Sequence, residues 1–428
     1  MNSSAVVVHT LISRAIRLVL AMATGVLLAR TLQPEGRGVY AVIATAAGAA
    51  IVVGHLSVEK SQIALWSDRS RHQALTTNGL FLGLSLGFVS ALGALALASA
   101  SGSPGGFALW ALAMAVVPLG AAAINLDGIL MLQSRMGFVN RTTLLSALSQ
   151  CLPILFLAAI DRVTITSVII CWAISTALPF ARDLRGLRPM SFRWDRRLVR
   201  RQLSLSGKYH VGWVALHFLV SIDVLLLNTL DSPAAVGIYT VAVTVSTLAR
   251  VPGETITQVI LPRQAAGDVA DAGHVTARAL RINILISSAS VGVIAGASPW
   301  LIPVVYGQSF APSVAPLLAL APGTIALMLV RPLEQYLVRV ERPTRMCAIS
   351  VSALALNLLL NLAMIPHWGA LGAALASTVA YVLMGAMEAS RFLKSTGLAV
   401  RELIPGTADV RLLLRPLAAR MRRGVAVP

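Results

Sequence analysis

The sequence predicts an all-α integral membrane protein of twelve transmembrane helices in two six-helix lobes. Three observations carry that expectation. Of 428 residues, 57% are hydrophobic and only 12% charged, where a soluble domain carries about 25% charged residues. Apolar runs near the roughly 20 residues needed to cross the hydrocarbon core follow one another along the chain. The same short turn is also written twice, 199 residues apart: LQPEGRGVY at 32–40 and DSPAAVGIY at 231–239.

The runs fall at 10–31, 38–58, 76–100, 107–132, 142–160 and 163–181, then at 203–230, 235–260, 280–303, 312–338, 345–365 and 369–392. They divide the chain into a first lobe (1–181), a basic linker (182–202), a second lobe (203–395) and a basic tail (396–428). The linker, RDLRGLRPMSFRWDRRLVRR, contrasts with the apolar runs on either side. No cleavable signal peptide is expected, because the first residues lack a basic start and Arg14 and Arg17 fall inside the first run.

Charge sets the orientation. The net charge of +18 and pI near 11.3 would suggest nucleic acid in a soluble protein, but no such partner is expected here. Lys and Arg concentrate in cytoplasmic loops of membrane proteins. With the N-terminus inside, the outer connections hold three basic residues (Arg30, Arg37 and Arg162) and the inner segments 28. The bias predicts both termini on the cytoplasmic side.

The repeat offset spans six helices, an even number, so both lobes start from the same face. A pseudo-two-fold axis along the membrane normal would relate them. Each repeated stretch is expected to be a tight outer turn. Pro34 and Pro233 suit a turn or helix start, and Gly38 and Gly237 a close approach or positive φ. Tyr40 and Tyr239 would sit at the water–lipid boundary. These six residues are assigned a structural role.

The order of these stretches resembles that of the polysaccharide-export flippases of the multidrug/oligosaccharidyl-lipid/polysaccharide exporter superfamily. LARTLQPEGRGVYAV is similar to their turn after the first helix, and LLLNTLDSPAAVGIYTVA to that after the seventh. SIDVLLLNTL, VILPRQAAG and VVYGQSFAPSVAPLLALAPG resemble further family positions. Gln33 stands where the family usually has glycine, and the second turn lacks an acid after its proline. The resemblance implies a translocator of a polyprenyl-linked oligosaccharide, carried from inner to outer leaflet through a basic cavity between the lobes. It also implies a bacterial plasma-membrane location and polysaccharide assembly enzymes as neighbours.

Ionisable groups at membrane depth mark candidate sites. Arg14 and Arg17 share one face of the first helix and fit either binding of phosphate or acidic sugars, or snorkelling to the inner headgroups. Lys208, beside His210, stands at the start of the seventh span with the same two readings. Arg250 pairs by spacing with Glu254, beside a Pro252-Gly253 break, and fits a cavity-facing role or structural neutralisation. Asp223, with no base three or four residues away, is the candidate for ion coupling or for a buried polar contact; Glu254 is a second coupling candidate. Arg331 with Glu334 and Glu388 with Arg391 have intrahelical pair spacing. Asn125 and Asp127, like Asn357 and Asn361, fit either sugar hydroxyls or helix joining.

Cys151, Cys171 and Cys347 show neither metal spacing nor a disulfide framework. With no phosphate-binding glycine loop, no catalytic constellation and no metal cluster, neither an enzyme nor a cofactor is expected. Membrane potential, H⁺ or Na⁺ remain as driving forces. A multidrug exporter of the same superfamily is the nearest alternative, disfavoured by arginines rather than acids in the first span. A peptidoglycan-precursor flippase would have fourteen spans. A membrane-embedded polysaccharide polymerase or ligase would need a larger outer loop.

Overall fold

The structure is a computed structural model describing residues 3–100, 102–188, 192–266, 269–407 and 409–411. Among these residues every regular element is helical. In chain order the α-helices are α1 (Ser3–Gly54), α2 (Val58–Leu65), α3 (His72–Ala100), α4 (Phe107–Ala115), α5 (Val117–Leu132), α6 (Met136–Ala159) and α7 (Ile165–Gly186). They continue as α8 (Arg196–Leu219), α9 (Ile222–Leu230), α10 (Pro233–Ala266), α11 (Val269–Tyr306), α12 (Val314–Val340) and α13 (Pro343–Thr396). Nine helical stretches among the described residues are long and apolar enough to cross a membrane, or ten when α8 and α9, bent by 49°, count as one.

Helix α1 has 52 residues and α13 has 54, each about 80 Å if straight, over twice the hydrocarbon thickness. Neither is straight. Helix α1 is two helices folded about Gln33 (φ 57°, ψ 179°), and α13 two folded about Gly369 (φ 51°, ψ −128°). Glycine suits the second kink, because a Cβ at Gly369 would stand 2.5 Å from the Asp231 carboxylate. The expected span at 203–230 is also broken, at Val220–Ser221, which puts Asp223 in the first turn of α9.

Most described residues of the basic linker are helical. Helix α7 runs to Gly186, and RRLVRR opens α8 behind an N-cap in which Asp195 accepts from the Leu198 N–H at 3.0 Å. Thr164 and Ser167 form the corresponding capping box at the start of α7.

The main core joins the two halves of the chain. Val42, Ile43 and Ala47 of α1 pack with Val236, Ala242 and Val245 of α10, and with Tyr306 and Phe310. Small side chains let these backbones approach, as helices in lipid require. Large apolar side chains remain on the outside: Leu97 is 74% exposed, Val293 71% and Phe156 67%. Such a surface suits hydrocarbon rather than water. The chain is a multi-pass membrane protein.

Candidate functional site: a polar cavity between two closed ends

At one end of the bundle the two repeated turns meet. A Cβ on Gly38 would overlap the Pro233 carbonyl, 2.6 Å from its carbon. A Cβ on Gly237 would overlap the Pro34 carbonyl, 2.7 Å from its carbon. The exchange is reciprocal, as in an interface about a two-fold axis. Gly38 and Gly237, expected to permit a close approach or a positive φ, each lie against the backbone of the other repeat.

Polar contacts surround this crossing. Arg30 donates from Nε to the Val305 carbonyl at 2.9 Å and from Nη2 to Val304 at 2.6 Å, satisfying terminal carbonyls of α11. Ser309 donates to Gln33 Oε1 at 2.9 Å. Arg37, expected in an exposed loop, is buried; it donates to Thr240 and Thr244, each at 3.4 Å, and lies over the Tyr306 ring at 5.8 Å. Its length lets the guanidinium cross to the other half of the chain. The tyrosines also depart from the expected aromatic belt. Tyr40 is half-buried and accepts from Gln150 at 3.1 Å, while Tyr239 is 1% exposed and donates to Asp223.

The opposite end is closed as well. There α8 packs on the first half of the chain, Val199 against Val58 and Leu82. Asn78 donates to Gln202 at 3.0 Å, and Ser57 and His210 are hydrogen-bonded at 3.1 Å.

Cavities among the described residues run between the helices. One of about 400 Å³ is apolar, walled by α1, α3, Trp110, and residues of α8 and α9 including Phe218 and Leu225. Two adjoining cavities of about 280 and 180 Å³ share Trp213, Leu216 and Glu334 in their walls. The larger adds Lys60, Glu341 and Glu388; the smaller adds His217, Arg250 and Arg331. Three basic and three acidic side chains therefore line this polar space. The basic cavity expected from the sequence is instead charge-balanced, because α12 and α13 bring glutamates to the wall that faces Lys60.

The predicted residues separate accordingly. Arg250 lines the smaller cavity and pairs with Glu254 at 3.3 Å. Arg14's side chain lies outside the described residues, and Arg17 is half-buried on α1. Lys208 is exposed, while its neighbour Tyr209 lines the larger cavity.

Asp223 is buried. It accepts from Tyr239, from Ser377 at 2.9 Å and from the Val224 N–H at 3.1 Å. Asn357 donates to Ser377 at 3.3 Å and Asn361 to Asn357 at 3.0 Å, so the chain of polar groups crosses α9, α10 and both arms of α13. Asn125 joins helices too, donating to the Gly79 carbonyl at 3.0 Å.

Of the six charges that line the cavity, the sequence alone points only to Arg250; Lys60, Arg331, Glu334, Glu341 and Glu388 emerge from the structure. Lys60 was counted with an inner loop. Glu334 was read only as a partner of Arg331, which it is, at 3.8 Å. Spacing pairs Glu388 with Arg391, but that pair does not form among the described residues: Glu388 is 1% exposed with Oε2 unpartnered, and Arg391 is exposed. The signal available was that Glu334 and Glu388 lie at membrane depth; only the fold shows that they line one space.

Comparison with known proteins agrees with this architecture. The fold is similar to that of the lipid II flippase MurJ in an inward closed conformation, with TM-score 0.76 and 13% identity over 92% of this chain and 88% of that one. It is also similar to an inward-facing multidrug resistance MATE family transporter of the MOP superfamily, with TM-score 0.62 and 16% identity over 89% and 96% of the two chains. A MOP superfamily transporter from Pyrococcus furiosus follows at TM-score 0.54 and 15% identity, over 92% and 95%. A search of curated sequences finds no match. The family model for polysaccharide biosynthesis proteins matches residues 5–267, well over half of the chain, and the fold is that of MOP-superfamily transporters. The chain belongs to the polysaccharide biosynthesis protein family.

Proposed function

We propose that this protein is a flippase that carries a polyprenyl-linked oligosaccharide from the inner to the outer leaflet of a bacterial plasma membrane, for surface polysaccharide assembly. One observation supports the reading: a cavity lined by charged side chains inside an apolar bundle whose two halves meet at both ends. Opening the ends alternately would expose the cavity to one side at a time. The sugar head would cross through the polar space while the polyprenyl tail stays in apolar surroundings.

The proposed arrangement has twelve spans, and the kinks within α1 and α13, each dividing one long helix into two, support that number. Residues 1–181 and 203–395 would act as two rocking lobes joined by 182–202, with 396–428 as a cytoplasmic tail. Both termini would lie inside; burial of Arg37 leaves still less exposed basic charge outside. An anionic head moving outward gains about 2.3 kcal/mol per charge per 100 mV of inside-negative potential. Asp223 and Glu254 are the candidate groups through which H⁺ or Na⁺ would add to that force. Polysaccharide assembly enzymes would receive the product.

A multidrug exporter of the same superfamily is the second reading, and Glu334 and Glu388 in the cavity wall favour it by offering acids to a cationic compound. The experiment that separates them deletes the gene and measures polyprenyl-linked oligosaccharide by mass spectrometry alongside surface glycan and drug sensitivity. Accumulated lipid-linked units with lost surface glycan are expected. Unchanged glycan lipids with new drug sensitivity would replace the flippase by the exporter.

A further inference from the structure

The charge balance of the polar cavity narrows the substrate. We propose that the head group is zwitterionic: it carries a free amine, as an unacetylated amino sugar would, beside its phosphate. The inference rests on the flippase reading and deepens it.

The two signs of charge are spread across the joined cavities. Arg250 and Arg331 line the smaller one, a place for phosphate oxygens because guanidinium groups bind them through paired N–H donors. Arg250 is held by Glu254 at 3.3 Å, and Arg331 stands 3.8 Å from Glu334, beyond direct hydrogen-bond distance. Glu388 lines the larger cavity with Ser350 and Lys60.

Glu388 is the decisive side chain. It is 1% exposed, and its Oε2 has no partner. A buried carboxylate without a partner is costly, more so at membrane depth. Arg391, one turn further along α13, is exposed. A donor group that enters the cavity would relieve that cost. An ammonium supplies both the opposite charge and up to three N–H donors; a hydroxyl supplies one donor and no charge. A polyanionic head without an amine would meet Glu334 and Glu388 as repulsion.

The test uses purified full-length protein in detergent micelles and native mass spectrometry. Two probes compete: polyprenyl-diphosphate-linked glucosamine and its N-acetylated form, which keeps the sugar and phosphates and removes the cation. The wild type is expected to retain the free-amine probe at least about tenfold better, equivalent to about 1.4 kcal/mol. Glu388→Gln, which removes the charge at constant shape, is expected to bring the two probes to equal occupancy. Equal retention by the wild type overturns the zwitterion inference and leaves the flippase reading standing, and it does so even if the variant fails to fold. A preference that survives in Glu388→Gln also overturns it. If neither probe is retained above a phosphate-free polyprenol control, the flippase reading fails and takes this inference with it.

Discussion

Gly38 and Gly237 occupy equivalent places in the two repeated turns, and each is pressed against the carbonyl of the proline that opens the other turn, Pro233 and Pro34. Neither position has room for a methyl group. Placing Ala at Gly237 forces the two turns apart, and overpacking of this kind costs about 1–3 kcal/mol. The expected outcome is a loss of closure at this end. Cross-linking of Gln33→Cys to Ser309→Cys with a short bifunctional thiol reagent reports it, since the native side chains are hydrogen-bonded at 2.9 Å. Cross-linking should fall about tenfold when Gly237→Ala is added, and an unchanged yield would show that the turns do not meet.

Gln33 holds a conformation that favours glycine, at φ 57° and ψ 179°. Backbone strain there costs about 1–3 kcal/mol. Its side chain compensates, donating to the Arg30 carbonyl at 2.9 Å and accepting from Ser309. Gln33→Ala keeps the strain and loses both contacts; Gln33→Gly loses the contacts and relieves the strain. Gly should therefore be more stable than Ala by about 1 kcal/mol, the reverse of their order inside a helix. Thermal unfolding of the two variants in detergent tests the sign.

Asp223 links Tyr239 on α10 with Ser377 on α13. Asp223→Ala leaves two buried hydroxyls without their acceptor and should cost about 2–5 kcal/mol, whereas Asp223→Asn keeps one acceptor oxygen and should cost less. If the group also couples an ion, Asp223→Asn reconstituted in liposomes will transport at a rate independent of the imposed pH or Na⁺ gradient. A gradient response equal to wild type would leave Asp223 with only its helix-joining role.

Asp409 ties the start of the tail to α11. The Gly406 N–H at 3.0 Å, and next the Arg281 guanidinium at 2.9 Å, hold its carboxyl below the usual carboxylate value. A carboxyl depressed in the folded state stabilises the contact above its unfolded value near about 3.9, and that contribution is lost as pH falls through the folded value. A nitroxide on Thr407→Cys should stay immobile at pH 5 and become mobile below about pH 4. Asp409→Asn should mobilise it at pH 7. A label equally immobile in that variant would assign the docking to Leu403 and its apolar neighbours instead.

Membrane character, the helical class and the family were legible in the sequence because each depends on sums or on order along the chain. The apolar excess is such a sum, and the repeated turn an order that no folding is needed to see. Even the departure at Gln33 was visible, although not its positive φ. What tertiary structure decided was which residues meet. The approach of Gly38 to Pro233 depends on two helix hairpins aligned about an axis that no local pattern encodes. Arg37 reads as a loop charge until the length of its side chain is set against the distance to Thr240 and Thr244. Spacing paired Glu388 with Arg391, since three residues apart share a helix face. The packing of α13 against α12 buries the acid and leaves the arginine exposed. The cavity's balance of charge arises in the same way, from Lys60 on α2, Arg250 on α10, Arg331 and Glu334 on α12 and Glu388 on α13. Their sequence positions determine the charge each carries, and only the fold determines that they face one another.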